Sequence, residues 1–94
     1  MTWTSAEASH ILVKNINTAT NLKSIINNLD KFRNLAMEYS TCHTYRQGGY
    51  IGYFSPGEMV PEIDNIVTSG EPHTLLGPIK SCFGYHLLYI HSKN

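Results

Sequence analysis

The segment from Arg46 to Pro61 constrains the fold of this chain more than any other stretch. It reads RQGGYIGYFSPGEMVP, so a short apolar run lies between a Gly-Gly pair and a Ser-Pro-Gly sequence, both of which are typical of turns. Proline at position 61 fits the first turn of a helix, where no backbone N–H is needed. The segment therefore predicts a strand at Tyr50 to Phe54, a turn, and a helix that begins at Pro61.

The length of 94 residues fits one domain with a single modest core. Seven basic and seven acidic residues are dispersed along the chain, so no basic stripe favours nucleic acid or an anionic membrane as a partner. No apolar run reaches the roughly 18 residues of a membrane span, and the first residues lack the pattern of a signal peptide. We therefore expect a cytoplasmic protein that binds neither nucleic acid nor a membrane.

Apolar periodicity predicts the other elements, since period two indicates strands and a period near 3.6 indicates helices. In chain order, the predicted elements are a strand at Ser9–Lys14, a helix capped by Thr18, a second helix capped by Asp30, a strand at Tyr50–Phe54, a helix from Pro61, an edge strand at Leu75–Lys80 and a last strand at Tyr85–His91. Residues 1–7 are expected to form a lead-in, in which Trp3 is a candidate anchor, to a single domain at residues 8–94.

Period two also places a histidine in an apolar row on two of the strands. His10 shares a face with Leu12 on the first strand, and His86 shares a face with Leu88 and Ile90 on the last. No long crossover separates the last two strands, so an antiparallel or mixed sheet flanked by helices, an α+β fold, is favoured over a doubly wound fold.

Three segments together resemble the parvulin family of peptidyl-prolyl cis/trans isomerases, in its small single-domain form: HILVK at His10–Lys14, RQGGYIGYFSPGEMVPEID at Arg46–Asp64 and GPIKSCFGYHLLYI at Gly77–Ile90. The resemblance extends from about Ala8 to Asn94. It implies a four-stranded antiparallel sheet surrounded by about four helices, in the order β-α3-β-α-β2. It also implies a monomeric enzyme without a cofactor that acts on X-Pro bonds in flexible or unfolded protein segments and so assists protein folding.

The resemblance assigns catalytic roles to His10, Cys42, Ser81 and His86. The two histidines would pair on neighbouring central strands, and Cys42 would face the X-Pro bond at a position that is cysteine or aspartate in the family. Ser81 keeps a hydroxyl where the family usually has threonine. Because aspartate is tolerated at position 42, and a nucleophilic cysteine needs a lowered pKa, we favour an electrostatic role for Cys42.

The resemblance also makes Met59 and Phe83 the lining of a proline pocket, with Ile51 and Phe54 as apolar neighbours. Ile63 stands where the family usually has a phenylalanine that closes this pocket. We expect the loss of that ring to loosen the grip on proline.

Members of the family that act next to phosphoserine or phosphothreonine carry a basic loop between the first strand and the first helix. The corresponding connection here, Lys14 to Thr18, holds a single lysine, so we expect no selectivity for phosphate. Two other readings stay open at this point. One is a proline-segment binding module or holdase chaperone with little catalysis; the other is a thiol or metal protein, which rests only on the ligand types of His10, Cys42 and His86.

Overall fold

The computed structural model describes residues 3–94, so Met1 and Thr2 of the predicted lead-in lie outside the described residues. In chain order the elements are β1 (Ala6–Val13), α1 (Ile16–Ile25), α2 (Leu29–Tyr39), a 3₁₀ helix (His43–Gln47), β2 (Tyr50–Phe54), α3 (Pro61–Ser69), β3 (Leu75–Ser81) and β4 (Gly84–Lys93). Within the described residues, three α-helices and one 3₁₀ helix therefore accompany four strands, which confirms the predicted α+β class and element order.

The four strands form one antiparallel sheet in the order β2-β1-β4-β3. β1 and β4 occupy its centre, and β3 lies at one edge, as the proline at position 78 predicted. In the β1–β4 register His10 is opposite Leu88, and Leu12 is opposite His86. The two histidines are therefore carried by adjacent central strands.

The first described residues are joined to the end of the chain. β1 begins at Ala6, so residues 6 and 7 of the predicted lead-in belong to the sheet. The Thr4 and Ser5 N–H groups donate to the Asn94 carbonyl, and the Asn94 N–H donates to the Ser5 carbonyl. Trp3 is 2 % exposed and its Nε1 donates to Thr68 Oγ1 at 3.0 Å, so this residue is an anchor.

Both predicted helix caps were wrong. The cap of α1 is Asn15, whose side chain accepts the Asn17 N–H, and the cap of α2 is Asn28, whose side chain accepts the Lys31 N–H at 2.8 Å. A capping residue must lie outside the helix, where its short polar side chain can reach back to a free N–H. Asp30 lies instead in the first turn of α2, near the positive end of the helix dipole.

The core is divided between the two faces of the sheet. The α3-side core consists of Trp3, Ala6, Ala8, Phe54, Ile63, Val67, Leu88 and Ile90. The α1/α2-side core consists of Ile11, Val13, Ala19, Leu22, Phe32, Leu35, Ala36 and Leu87. Alternate side chains of β1 and β4 thus pack into opposite cores, as period two requires. In residues 3–94 no helix has the length and apolar character needed to span a membrane.

Candidate active site

A cavity of about 590 Å³ opens beside the two central strands, on the face that carries His10 and His86. The side chains around it come from β1, β4, the loop after α2, the segment before α3 and the turn between β3 and β4. They are His10, Leu12, Thr41, Cys42, His43, Glu58, Met59, Val60, Phe83 and His86. The fold therefore gathers residues from both ends of the chain around one opening.

The two histidines form the floor of this cavity. Their Nδ1 atoms are 3.5 Å apart, and the rings are stacked with centroids 5.6 Å apart and planes 19° apart. His10 is 4 % exposed and His86 is 3 % exposed. Such close approach of two basic rings in a buried place requires that at least one ring nitrogen act as an acceptor.

Ser81 extends this contact into a chain of three polar groups. Its Oγ lies 2.6 Å from His86 Nε2 and accepts the Phe83 N–H at 3.2 Å. With the Phe83 N–H as one partner, the serine hydroxyl is free to donate its own proton to His86 Nε2. His86 would then donate through Nδ1 to His10 Nδ1, which leaves a proton on His10 Nε2. The opposite direction of donation leaves a lone pair there.

Burial keeps both imidazoles neutral near pH 7. It lowers the pKa of His10 to about 4, and the neighbouring His86 and His43 rings add to this lowering. Burial also lowers the pKa of His86, although the negative charge of Glu62 opposes the change. A neutral pair can both accept and donate hydrogen bonds, which two imidazolium ions cannot do.

Cys42 is half-buried at the side of the cavity, and its Sγ lies 3.9 Å from His43 Nδ1. Ser40 ties this loop to β1, because its Oγ accepts the N–H of Leu12 at 3.0 Å and that of Cys42 at 3.4 Å. The Thr41 N–H also donates to the Leu12 carbonyl at 2.7 Å. The position of Cys42 relative to the strand that carries His10 is therefore fixed by hydrogen bonds of the Ser40 side chain and the Thr41 backbone.

The wall of the cavity opposite the two histidines is formed by the apolar residues Met59, Val60 and Phe83. Met59 and Val60 are half-buried, and Phe83 is 60 % exposed at the rim. Met59 follows a tight turn at Gly57, which has a φ of 93° and donates its N–H to Asp64 Oδ2 at 2.8 Å. Only glycine adopts that φ without strain, and the carboxylate fixes the turn to α3. The wall is thus held against the helix that follows it.

Three predicted pocket residues do not line the cavity. Phe54 is 4 % exposed and packs edge-to-face on Trp3, with ring centroids 5.9 Å apart. Ile63 is fully buried in the α3-side core, and Ile51 packs against the same core. Met59 also packs against this core, so Ile51, Phe54 and Ile63 share a core with the wall without lining the cavity.

The cavity includes five residues that the sequence did not single out: Leu12, Thr41, His43, Glu58 and Val60. His43 was expected at the surface, and it is exposed while it borders the opening. Leu12 follows from the period-two alternation that places it on the same face of β1 as His10. The other four are sequence neighbours of Cys42 or Met59, so a simple rule of flanking positions would have found them.

A metal site is not formed by these side chains. Among residues 3–94, no group of three or more His, Cys, Asp and Glu side chains is arranged to hold a metal ion. Cys82 is exposed and does not line the cavity, and both cysteines are free thiols. The cavity therefore combines the histidine pair with an apolar wall and one carboxylate, Glu58.

Comparisons with family models and with curated proteins agree with each other. A family model described as Rotamase, PPIC-type PPIASE domain, matches residues 7–92. A foldase protein PrsA of Bacillus cereus is 38 % identical over 88 residues, which cover 93 % of this chain and 31 % of that protein. The chain thus spans about a third of the length of the curated relatives that it matches.

Solved structures agree with the sequence relatives. A crystal structure of the peptidylprolyl isomerase PrsA from Bacillus cereus superposes with a TM-score of 0.89 and 35 % identity, covering 98 % of this chain and 36 % of that one. The solution structure of the parvulin of Nitrosopumilus maritimus has a TM-score of 0.74 and 30 % identity, covering 95 % of this chain and 97 % of that one. The second similarity extends over both chains almost completely.

Proposed function

The chain belongs to the parvulin family of peptidyl-prolyl cis/trans isomerases, in its PPIC-type form, and we propose that the cavity between the histidine pair and Met59 is its catalytic site. The observation that carries this proposal is the buried, hydrogen-bonded pair of His10 and His86, which faces the side chains of Met59 and Phe83 across one opening. We assign Met59 and Phe83 to the proline ring, and His10, Cys42 and His86 to the amide; Ser81, the fourth predicted catalytic residue, does not line the cavity and orients His86.

The reaction needs rotation and no covalent change. The barrier to rotation about a peptide bond is about 18–20 kcal/mol and arises from amide resonance. In the twisted transition state this resonance is lost, and the proline nitrogen becomes a better hydrogen-bond acceptor. A site lowers the barrier only to the extent that it binds this twisted form more tightly than either planar form. Each tenfold increase in the rate of rotation requires about 1.4 kcal/mol of such differential binding.

The two sides of the cavity supply different parts of that binding. A thioether and a ring face, from Met59 and Phe83, can hold a pyrrolidine ring through apolar contact. The chain of hydrogen bonds from Ser81 through His86 to His10 fixes the tautomers of the imidazoles. A group that is oriented in advance does not need to reorganise when the amide twists. Cys42 acts here as a polar neighbour of the carbonyl, without a covalent intermediate.

The substrates are proline-containing segments of flexible or unfolded proteins. The description of the relatives as foldases supports this proposal. Those relatives are about three times as long as the region they share with this chain. No lysine or arginine lines the described cavity, so phosphate next to proline is not selected. We also propose that the domain acts as a monomer and is located in the cytoplasm; sedimentation and cell fractionation test these two points.

The test measures cis/trans exchange of Ala-Xaa-Pro peptides by NMR exchange spectroscopy, with and without the protein. Acceleration of exchange, together with shifts of the resonances of Met59 and His86, is expected. A peptide that shifts these resonances while its exchange rate stays at the uncatalysed value would instead support a holdase. The exposed ring of Phe83 favours that second function, because apolar surface at a rim can retain an unfolded segment without twisting it.

A further inference from the structure

Glu58 is the one carboxylate among the described residues that line the cavity. Glu58 lines the opening, and Glu62 lies close enough to raise the pKa of His86 against the effect of burial. The histidines on the floor are neutral at pH 7 for the reasons given above. Among the described lining residues there is no lysine or arginine. A substrate therefore meets the Glu58 carboxylate, which no lysine or arginine of the lining neutralises.

The position of the Glu58 carboxylate is defined by the turn that carries it. Its Oε1 accepts the Ser55 N–H at 3.1 Å, and the Glu58 N–H donates to the Ser55 carbonyl at 3.2 Å. The same turn is fixed to α3 by the bond from Gly57 to Asp64. Glu58 also directly precedes Met59 in the chain. The carboxylate is consequently held beside the wall assigned to the proline ring.

Nearby positive charges do not offset the negative charge of the Glu58 carboxylate. The amino terminus of α3 contributes about half a positive charge, and Glu62 and Asp64 in its first turn offset it. Arg46, on the 3₁₀ helix, packs its guanidinium over the Tyr45 ring at 5.6 Å and donates to the Tyr45 hydroxyl. Arg46 does not line the cavity and forms no salt bridge with Glu58.

We propose that Glu58 makes the enzyme prefer a lysine or arginine residue directly next to the substrate proline, and disfavour an acidic or phosphorylated one. This inference rests on the proposed function of the cavity and names the substrate class that it selects. Exposed pairs of opposite charge contribute about 0.2–1 kcal/mol. The expected preference in kcat/KM for a cationic over a neutral peptide is therefore about 1.4- to 5-fold, and it falls as salt is added.

The experiment compares peptides that differ only at one residue before or after proline, which is lysine, alanine or glutamate. The ratio of kcat/KM for the lysine peptide to that for the glutamate peptide is measured with the unmodified chain, Glu58→Gln and Glu58→Lys. Glutamine keeps an acceptor for the Ser55 N–H while it removes the charge. Glu38→Gln is the matched control, because Glu38 is an exposed carboxylate on α2 that does not line the cavity.

The ratio should exceed one in the unmodified chain and in the control, fall toward one in Glu58→Gln and invert in Glu58→Lys. Catalysis with equal rates for all peptides, or a ratio that Glu58→Gln leaves unchanged, overturns the inference and leaves the isomerase function intact. If no peptide is accelerated, the proposed function fails. The affinities of the same peptides, measured by resonance shifts, then decide the charge preference, and equal affinities overturn it.

Discussion

The two faces of the central strands each carry a contact between a serine and a histidine of β4. On one face Ser81 Oγ lies 2.6 Å from His86 Nε2, and on the other Ser9 Oγ lies 2.8 Å from His91 Nε2. Both serines are buried, and burial lowers the pKa of both imidazoles. By distance and residue type alone, the two pairs are equivalent.

Their surroundings differ. His86 stacks on His10 and borders a cavity with an apolar wall, whereas His91 lies between Tyr50 and Tyr89, with ring centroids 5.9 Å and 5.1 Å away. Two aromatic rings pack around His91, and His91 is not among the residues that line the cavity. The comparison teaches that a buried serine–histidine hydrogen bond does not by itself identify a catalytic site. A second histidine and an open apolar wall distinguish the candidate site.

The largest difference between the two faces should appear when each histidine is removed. His86→Ala should lower kcat/KM by about 100-fold, because the tautomer and orientation of His10 are no longer fixed. His91→Ala should stay within about threefold of the unmodified chain, since that ring borders no part of the cavity. Both are measured by peptide exchange after circular dichroism has verified folding. Equal losses in the two variants would contradict the distinction.

The apolar wall is the second feature that the His91 face lacks. Met59→Ala should lower kcat/KM by about tenfold, mainly through KM, because the half-buried side chain contributes about 1.4 kcal/mol of contact with proline. Met37→Ala is the matched control, since Met37 is 54 % exposed on α2. Steady-state rates with one Ala-Ala-Pro peptide give both values. An unchanged KM in Met59→Ala would remove this residue from the proline pocket.

The two serines allow a smaller test. Ser81→Ala leaves His86 Nε2 and the Phe83 N–H without their hydroxyl partner, so kcat/KM should fall by about fivefold, equivalent to roughly 1 kcal/mol for one hydrogen bond. Ser9→Ala removes the other hydroxyl and should change the free energy of unfolding by a similar amount without changing kcat/KM. Urea unfolding and peptide exchange on the same samples separate the two effects.

The smallest effect is that of pH. Because the pKa of His10 is lowered to about 4, His10 stays neutral from pH 7 down to about 5, and its protonation should lower kcat/KM to about half near pH 4. The unfolded chain takes up the His10 proton near pH 6.5, so the free energy of unfolding should decrease as pH falls from there toward 4. An activity midpoint near 6.5 would show that the catalytic pair is not desolvated.

Local rules predicted the arrangement of the main elements. The turns around Tyr50 to Phe54, the start of α3 at Pro61 and the shared faces of His10 and His86 depend on residues close in sequence, and all are confirmed. The placement of Phe54 and Ile63 depends on Trp3 and the α3-side core, which are distant in sequence or in different elements. Packing across a sheet decides which side of a wall such a residue occupies, and no local pattern encodes it.

The position of Ile63 also changes what its substitution would do. In the structure this side chain is fully buried among close neighbours, so the missing phenylalanine leaves a core filled by a smaller residue. Enlarging a packed core position generally costs about 1–3 kcal/mol. The sequence could identify the unusual residue, whereas its consequence depends on the volume that the surrounding side chains leave free.

The hydrogen bonds between Ser5 and Asn94 bring the two ends of the described chain side by side. A longer polypeptide could therefore leave this unit at almost the same point at which it entered, without a spanning linker. Such geometry suits insertion into a host protein, because the host's own segments need not be pushed apart. It also makes circular permutation practicable, with new ends opened in the loop after α3.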